Sequence, residues 1–158
     1  MSACRLLYLM DPMCSWCWGF APVANALVEQ AQAAGVDVHL VVGGLRTGSG
    51  AALEPTTRRY ILEHWQAVTE ATGQPFKLEG ALPDGFVYDT EPACRALVTA
   101  RSLAPDCAWK LLGLIQQAFY AEGRDVTHAS VLVELAERAG LPRIEFAAAF
   151  DRADMHAA

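Results

Sequence analysis

Two cysteines separated by two residues, Cys14 and Cys17, are the side chains of this sequence that point most directly to chemistry. Two thiols spaced in this way on the first turn of a helix can close a disulfide with little movement of the backbone. A helix N-terminus also favours a thiolate, because it carries partial positive charge. We therefore predict that the pKa of Cys14 is lowered and that Cys14 acts as a nucleophile. Cys17 would then resolve the mixed disulfide that Cys14 forms.

The elements that must position this dithiol are two strands and the helix between them. Residues 5–10 are a short apolar run that predicts a buried strand, and residues 36–42 are a β-branched run that predicts a second one. The pattern of residues 14–34 predicts a helix with one apolar face, formed by Phe20, Ala24, Leu27 and Ala31. A right-handed crossover would make the strands parallel neighbours, with Cys14 at the carboxyl end of the first strand.

The remainder of the sequence is predominantly helical in pattern. Capping residues and apolar spacing predict helices over 56–72, 91–103, about 106–121, 127–139 and 142–150. The glycine-rich residues 43–50 do not fit a phosphate-binding fingerprint, and we interpret them as a flexible rim beside the active site. Trp65 and Trp109 fall on apolar helix faces, which predicts that they belong to the core.

The residues around the dithiol resemble cytoplasmic members of the DsbA-like branch of the thioredoxin-fold enzymes. The resemblance covers an apolar strand, the dithiol and a proline five residues after the second cysteine, within the stretch Asp11-Pro12-Met13-Cys14-Ser15-Trp16-Cys17-Trp18-Gly19-Phe20-Ala21-Pro22. The segments 88–90 and 119–125 are also typical of this branch. The resemblance implies an α/β, thioredoxin-like fold with a helical insertion, and a thiol–disulfide oxidoreductase that cycles Cys14 and Cys17.

Four residues near the dithiol are expected to bind substrate or to tune the thiols. Ser15 offers a hydroxyl and Trp16 offers apolar cover without charge, so neither would make the protein an extreme oxidant. Pro12 and Trp18 flank the motif, and Trp16 is expected to be partly exposed at the substrate face. Asp11 is a candidate for influencing proton transfer at Cys17.

The resemblance divides the chain into three regions: a βαβ unit with the redox motif over 1–50, a helical insertion over 51–150, and either a tail or the start of the missing C-terminal half over 151–158. In such proteins the insertion is followed by further strands and a loop containing a cis-proline. We expect these parts to be absent from this sequence, because it stops at Ala158 while the insertion is still finishing and no proline follows Pro142. The first strand would then have an unpaired edge. Two explanations stay open: the sequence is a fragment of a longer product, or two copies pair strand to strand as a homodimer.

Composition narrows the class of protein. At 158 residues, with 53% hydrophobic residues, the chain predicts one domain with a substantial core. The formal net charge of −6 and the scattered basic residues argue against nucleic acid and anionic membranes as partners.

No signal peptide is recognisable, so the cytoplasm is the expected location. Five cysteines without an export signal suggest reduced thiols, and Cys4, Cys94 and Cys107 are interpreted as small buried apolar residues.

Other functions compete with thiol–disulfide exchange. Zinc could bind Cys14, Cys17, Cys94 and Cys107, although their spacing is not that of paired zinc knuckles, so no metal ligand is predicted. A glutathione-linked transferase or isomerase of the kappa or hydroxychromene-carboxylate isomerase type would share the fold, but such proteins typically carry serine in place of Cys14. A non-catalytic binding module is a further alternative. We expect no bound cofactor, a protein or small-thiol substrate, and glutathione or a protein reductant as redox partner.

Overall fold

A strand, a helix and a second strand open the computed structural model, which describes residues 4–48 and 50–157. β1 is Arg5–Met10, α1 is Ser15–Ala33 and β2 is Asp37–Val42. The strands are parallel, and their register runs from Arg5 opposite Asp37 to Met10 opposite Val42. Over the described ranges the sheet consists of these two strands, and no peptide bond is cis. The predicted βαβ unit is confirmed, with α1 starting directly after Cys14.

The helices that follow lie close to their predicted positions. They are α2 Pro55–Thr72, α3 Glu91–Leu103, α4 Pro105–Gln116, α5 Ala129–Ala139, α6 Arg143–Phe150 and the short α7 Ala153–His156. The stretch predicted as one helix over 106–121 changes its winding near the end. A π-helical segment, Gln117–Ala121, continues directly from α4. Such π-helical turns are uncommon and are often found at functional sites.

One hydrophobic core joins the sheet to the helices. At its centre lies an aromatic cluster in which Tyr120, on the π-helical segment, packs against Trp65, Phe76 and Phe119 with ring centroids 4.8 to 5.0 Å away. Met10 and Met13, which bracket the turn before α1, belong to the same core. The turn that carries Cys14 therefore rests on side chains of the helical region.

The two faces of the sheet have different surroundings. Leu6, Tyr8 and Met10 of β1 point toward the helices, whereas Leu7 and Leu9 are 53% and 69% exposed. The predicted apolar face of α1 is only partly confirmed. Ala24 is buried, but Phe20 and Leu27 are 44% and 38% exposed, because α1 turns Ser15, Gly19, Ala24 and Val28 inward instead. The prediction that Cys4 is buried is also wrong, since it lies exposed before β1.

A glycine lets α1 and α2 approach closely. A β-carbon added to Gly19 would lie 2.8 Å from Cγ1 of Val68 and 2.9 Å from Cγ2 of Thr72. Val68 is fully buried and cannot easily move away. Gly19 thus fixes the distance between α2 and the helix that begins at the dithiol.

Candidate active site

Cys14 occupies the N-cap position of α1, at the carboxyl end of β1. The three residues between β1 and Cys14 form a turn closed by a hydrogen bond of 3.1 Å from the amide of Cys14 to the carbonyl oxygen of Asp11. The carbonyl oxygen of Cys14 then accepts the first helical bond, from the amide of Trp18. Cys14 and Cys17 are both free thiols and half-buried. The helix start thus holds the two sulfur atoms as neighbours, as the sequence predicted.

The pKa values of the two thiols shift in opposite directions. The pKa of Cys14 falls from 9.0 to about 6, chiefly because the Cys17 thiol donates a hydrogen bond to it and secondarily because the amides of Cys17 and Trp16 favour the thiolate. The Cys14 side chain forms no capping hydrogen bond, so these amides act as dipoles at the helix end. The same interaction with Cys14, together with burial, raises the pKa of Cys17 well above its ordinary value. Near neutral pH the pair therefore holds one thiolate, on Cys14, and one thiol, on Cys17.

Asp11 is a buried carboxylate that connects three parts of the site. One carboxylate oxygen accepts a hydrogen bond of 2.8 Å from the amide of Met13, and the other accepts one of 2.7 Å from the amide of Leu45. The Cys94 thiol, on α3, donates to the second oxygen at 3.4 Å. The negative charge of Asp11 raises the pKa values of both Cys14 and Cys17, and so opposes the lowering at Cys14. Its visible role is to anchor the turn before the dithiol to the segment after β2.

Two buried tyrosines lie behind the turn. The hydroxyl of Tyr88 donates a hydrogen bond of 2.6 Å to the carbonyl oxygen of Met13, the residue before Cys14. The hydroxyl of Tyr120 is fully buried and has no hydrogen-bond partner in the part of the chain that the structure describes. Tyr88 therefore fixes the peptide that leads into the nucleophile, whereas Tyr120 contributes packing and carries an uncompensated polar atom.

A groove of about 390 Å³ opens beside Cys14. Its walls come from the turn before α1, the first turn of α1, α2, the segment after β2 and the segment before α3, and include Ser15, Trp16, Arg46, Tyr60, His64 and Tyr88. The rings of Trp16 and His64 meet edge to face with centroids 5.9 Å apart, and Tyr60 stacks on His64 at 6.2 Å. The arrangement presents a half-buried thiol at one end of an aromatic groove, where a second sulfur compound could approach it.

The predicted tuning residues separate into two groups. Ser15 is buried and Trp16 is 48% exposed, and both line the groove. Pro12 is buried in the turn. Trp18 instead points away from the groove: its indole N–H donates to the carbonyl oxygen of Pro75 at 3.0 Å, and its ring stacks on Tyr120.

Sequence reasoning did not single out Arg46, Tyr60, His64 or Tyr88 as site residues. His64 and Tyr60 lie one turn apart on α2, where an ordinary amphipathic pattern conceals them. Tyr88 belongs to a segment that the resemblance marked as typical, which was the one available signal. The predicted rim after β2 is anchored over residues 43–46, since the amides of Gly43, Leu45 and Arg46 all donate hydrogen bonds to other parts of the structure.

The remaining cysteines do not join the dithiol. Cys94 is buried, and burial followed by the charge of Asp11 raises the pKa of its thiol to about 12. Cys107, which was predicted to be buried, is only half-buried on α4. Across residues 4–48 and 50–157, no three His, Cys, Asp or Glu side chains are grouped so that they could hold a metal ion. No helix in these ranges is long and apolar enough to cross a membrane.

Comparison with known proteins found a matching family model and similar solved structures. A family model described as a DSBA-like thioredoxin domain matches residues 6–158. A structure from Nitrosomonas europaea, provisionally assigned as a protein disulfide isomerase, is 41% identical with a TM-score of 0.89, over 98% of this chain and 73% of that one. The cytosolic disulfide reductase DsbM from Pseudomonas aeruginosa is 36% identical with a TM-score of 0.80, over 93% of this chain and 69% of that one.

Two further matches are to a DsbM structure that contains GSH and to an adapter protein. DsbM has also been solved with GSH, and that structure is 33% identical with a TM-score of 0.80, over 97% of this chain and 74% of that one. A curated relative, the ClpXP adapter protein SpxH of Halalkalibacterium halodurans, is 27% identical over 141 residues. That match covers 87% of this chain but 45% of the relative, so the chain spans less than half the length of that protein.

Proposed function

Because this chain belongs to the DSBA-like thioredoxin domain family, we propose that it is a thiol–disulfide oxidoreductase that cycles Cys14 and Cys17 between dithiol and disulfide. The observation that carries the proposal is the pair of free, half-buried thiols that the start of α1 holds side by side at the carboxyl end of β1, and the opposite shifts of their pKa values support it. The thiolate is the nucleophile in disulfide exchange. A site with one thiolate and one adjacent thiol at neutral pH has the starting state that the reaction needs.

The reaction then takes two exchange steps. The Cys14 thiolate attacks one sulfur of a substrate disulfide, forms a mixed disulfide and releases the other sulfur as a thiolate. Cys17 loses its proton to solvent and attacks the Cys14 sulfur, which closes the Cys14–Cys17 disulfide and releases the second substrate thiolate. Two electrons pass from the dithiol to the substrate. Two molecules of an external thiol restore the dithiol and leave as their own disulfide.

The pKa of Cys17 is expected to change during this cycle. Its largest cause of elevation is the hydrogen bond to the Cys14 thiolate. That thiolate ceases to exist when Cys14 enters the mixed disulfide, so the pKa of Cys17 falls at the step in which Cys17 must attack. The resolving thiol is thus held protonated before the first step and is released for the second.

We assign the surrounding residues supporting roles. Ser15 and Trp16 line the groove and would contact substrate, while Pro12 and Trp18 shape the turn and the first turn of α1. Glutathione is our proposed redox partner, which is supported by the structure of the related DsbM with GSH. We propose the reducing direction and a cytoplasmic location, since DsbM is described as a cytosolic disulfide reductase.

Homodimer formation through the open edge of β1 also belongs to the proposal. The exposed side chains Leu7 and Leu9 lie on a sheet face that no described element covers. An unpaired strand edge beside an apolar face favours association with another chain. A second copy offers the same edge and face, so two copies could extend the sheet.

The decisive test is turnover of a model disulfide with glutathione as the reductant, using single cysteine variants. We expect Cys14→Ser to lose all turnover and Cys17→Ser to accumulate a mixed disulfide that mass spectrometry assigns to Cys14. Cys4→Ser is the matched control, because Cys4 is an exposed thiol outside the site, and it should behave as the parent protein.

Two results would redirect the assignment. Glutathione-dependent turnover of a non-disulfide substrate that survives Cys14→Ser would support a transferase or isomerase instead. If Cys14 and Cys17 of the parent protein never pair in a glutathione titration, and the protein turns over no substrate, a non-catalytic binding module would be the remaining function.

A further inference from the structure

The groove beside Cys14 carries a cationic side chain, although the chain as a whole is acidic. The chain carries a formal net charge of −6. Apart from the Cys14 thiolate of the reduced protein, the charged side chain among the described lining residues is the guanidinium of Arg46, and no carboxylate lines the groove. A cation at the rim of an otherwise aromatic and apolar groove attracts an anionic group on whatever enters.

The backbone amide and the backbone carbonyl group of Arg46 are both hydrogen-bonded. The amide of Arg46 donates to the hydroxyl oxygen of Thr90 at 3.1 Å, and its carbonyl oxygen accepts from the amide of Thr90 at 2.8 Å. Thr90 is fully buried at the start of α3. The neighbouring amide of Leu45 is held by Asp11. The chain thus presents Arg46 to the groove from an anchored position.

The side chain of Arg46 also has a partner. Its guanidinium carbon lies 5.6 Å from the centroid of the Tyr88 ring, within the range of a cation–π interaction. The hydroxyl of the same tyrosine donates to the carbonyl oxygen of Met13, directly before Cys14. The Tyr88 ring therefore links the position of the Arg46 guanidinium to the position of Cys14. The guanidinium N–H groups have no hydrogen-bond partner in the described part of the chain.

We infer that Arg46 is a specificity-determining residue that binds a carboxylate of the sulfur compound reacting at Cys14, so that the site prefers anionic thiols and disulfides. This inference rests on the proposed oxidoreductase function. A guanidinium forms short, charge-assisted and often bidentate hydrogen bonds with a carboxylate. Glutathione and its disulfide carry carboxylates, whereas cysteamine is a cation and 2-mercaptoethanol is neutral.

The test is the rate at which these thiols reduce the Cys14–Cys17 disulfide, measured by stopped flow and expressed per thiolate. In the parent protein, glutathione should react faster than its diethyl ester, which lacks both carboxylates. Arg46→Gln should slow glutathione ~10-fold, which is the size expected for one charged hydrogen-bond pair. The rates for the diethyl ester and for 2-mercaptoethanol should change less than twofold, because neither offers a carboxylate, and cysteamine should not slow.

Two control variants separate charge from structure. Arg46→Lys keeps the cation but not the fork of donors, and should recover part of the glutathione rate. Arg59→Gln removes an exposed arginine of α2 that does not line the groove, and should leave every rate unchanged. A thermal melt of each variant shows whether the fold is retained.

The inference is overturned if Arg46→Gln slows all the thiols by the same factor, or if it leaves the glutathione rate unchanged. It is equally overturned if the parent protein reacts with glutathione and its diethyl ester at the same rate, a comparison that needs no variant. Failure of the proposed function gives a different result, since none of these thiols would then reduce a Cys14–Cys17 disulfide in the parent protein.

Discussion

At the scale of the residue, Cys14 and Cys17 hold one proton between them near neutral pH. The Cys17 thiol is the main stabiliser of the Cys14 thiolate, and burial works against that thiolate. The helix start adds to the stabilisation through two backbone amides. The arrangement lowers the pKa of Cys14 by means of the second cysteine itself, without a cationic side chain between the two.

This pair predicts a definite pH dependence. Alkylation of reduced protein by iodoacetamide should rise with a midpoint near pH 6 for Cys14, while Cys17 stays unmodified, as peptide mass spectrometry would show. The folded pKa of Cys14 lies below its unfolded value of 9.0, so its contribution to stability is complete above about pH 9 and is lost as the pH falls toward 6. Cys14→Ser should remove this slope between pH 6 and 9 in urea unfolding of reduced protein. A flat alkylation profile across pH 6 would contradict the predicted thiolate.

The two buried tyrosines offer a matched comparison of a partnered and an unpartnered hydroxyl. Tyr88→Phe removes the donor to the Met13 carbonyl and should lower the free energy of unfolding by about 1–2 kcal/mol. Tyr120→Phe removes a hydroxyl that has no partner among the described residues, so it should be neutral or stabilising by up to about 1 kcal/mol. Urea unfolding of both variants measures the difference. Equal losses would contradict the assigned hydrogen bonding.

At the scale of the element, the sequence predicted the βαβ unit and the helices well, because apolar periodicity and capping residues are local signals. It predicted the buried face of α1 only in part, at Ala24. Phe20 and Leu27 look like core residues by type, yet α1 turns smaller residues toward α2 and the sheet. The π-helical segment was also missed, since Phe119 and Tyr120 fit the α-helical spacing that precedes them.

The close contact between α1 and α2 can be tested with two glycines. Gly19→Ala should destabilise the protein by about 1–3 kcal/mol, because the new methyl group would meet Val68 and Thr72 closer than 3 Å. Gly113→Ala is the control on α4, where the added β-carbon meets nothing within 4 Å beyond its chain neighbours and the backbone of its own helix, and it should stabilise by about 0.5–1 kcal/mol. Thermal or urea unfolding distinguishes the two. A neutral Gly19→Ala variant would show that α2 can move away from α1 without cost.

At the scale of the whole molecule, the proposed homodimer would form through the uncovered face and open edge of β1. We expect sedimentation velocity at micromolar concentration to show a dimer, and Leu9→Lys to shift it to a monomer by placing a charge on the face and edge of β1. Ile144→Lys is the control, because Ile144 is 84% exposed on α6, away from the sheet. A monomeric parent protein with a cooperative melt would contradict the pairing.

The site itself could be predicted only in part because it is assembled from distant segments. The dithiol and its strand and helix are continuous in sequence, so a short motif reveals them. Asp11, Arg46 and Tyr88 come together only through hydrogen bonds and packing between the turn, the segment after β2 and the start of α3. We keep the division into 1–50, 51–150 and 151–158 as a proposal about how the chain is organised.

The hydrogen bond from Tyr88 to Met13 has a consequence for protein engineering and for recombination between relatives. The peptide leading into Cys14 is held by a residue 75 positions away in the sequence. A chimera that joins residues 1–50 of this chain to the helical region of a relative would carry the Cys-Ser-Trp-Cys motif unchanged. The reactivity of the motif would nevertheless depend on both proteins, because the residue that holds the peptide before Cys14 would come from the relative. Grafting the motif alone would leave out the hydrogen bond from Tyr88, whereas grafting it together with residues 86–90 would also supply the residue that donates this bond.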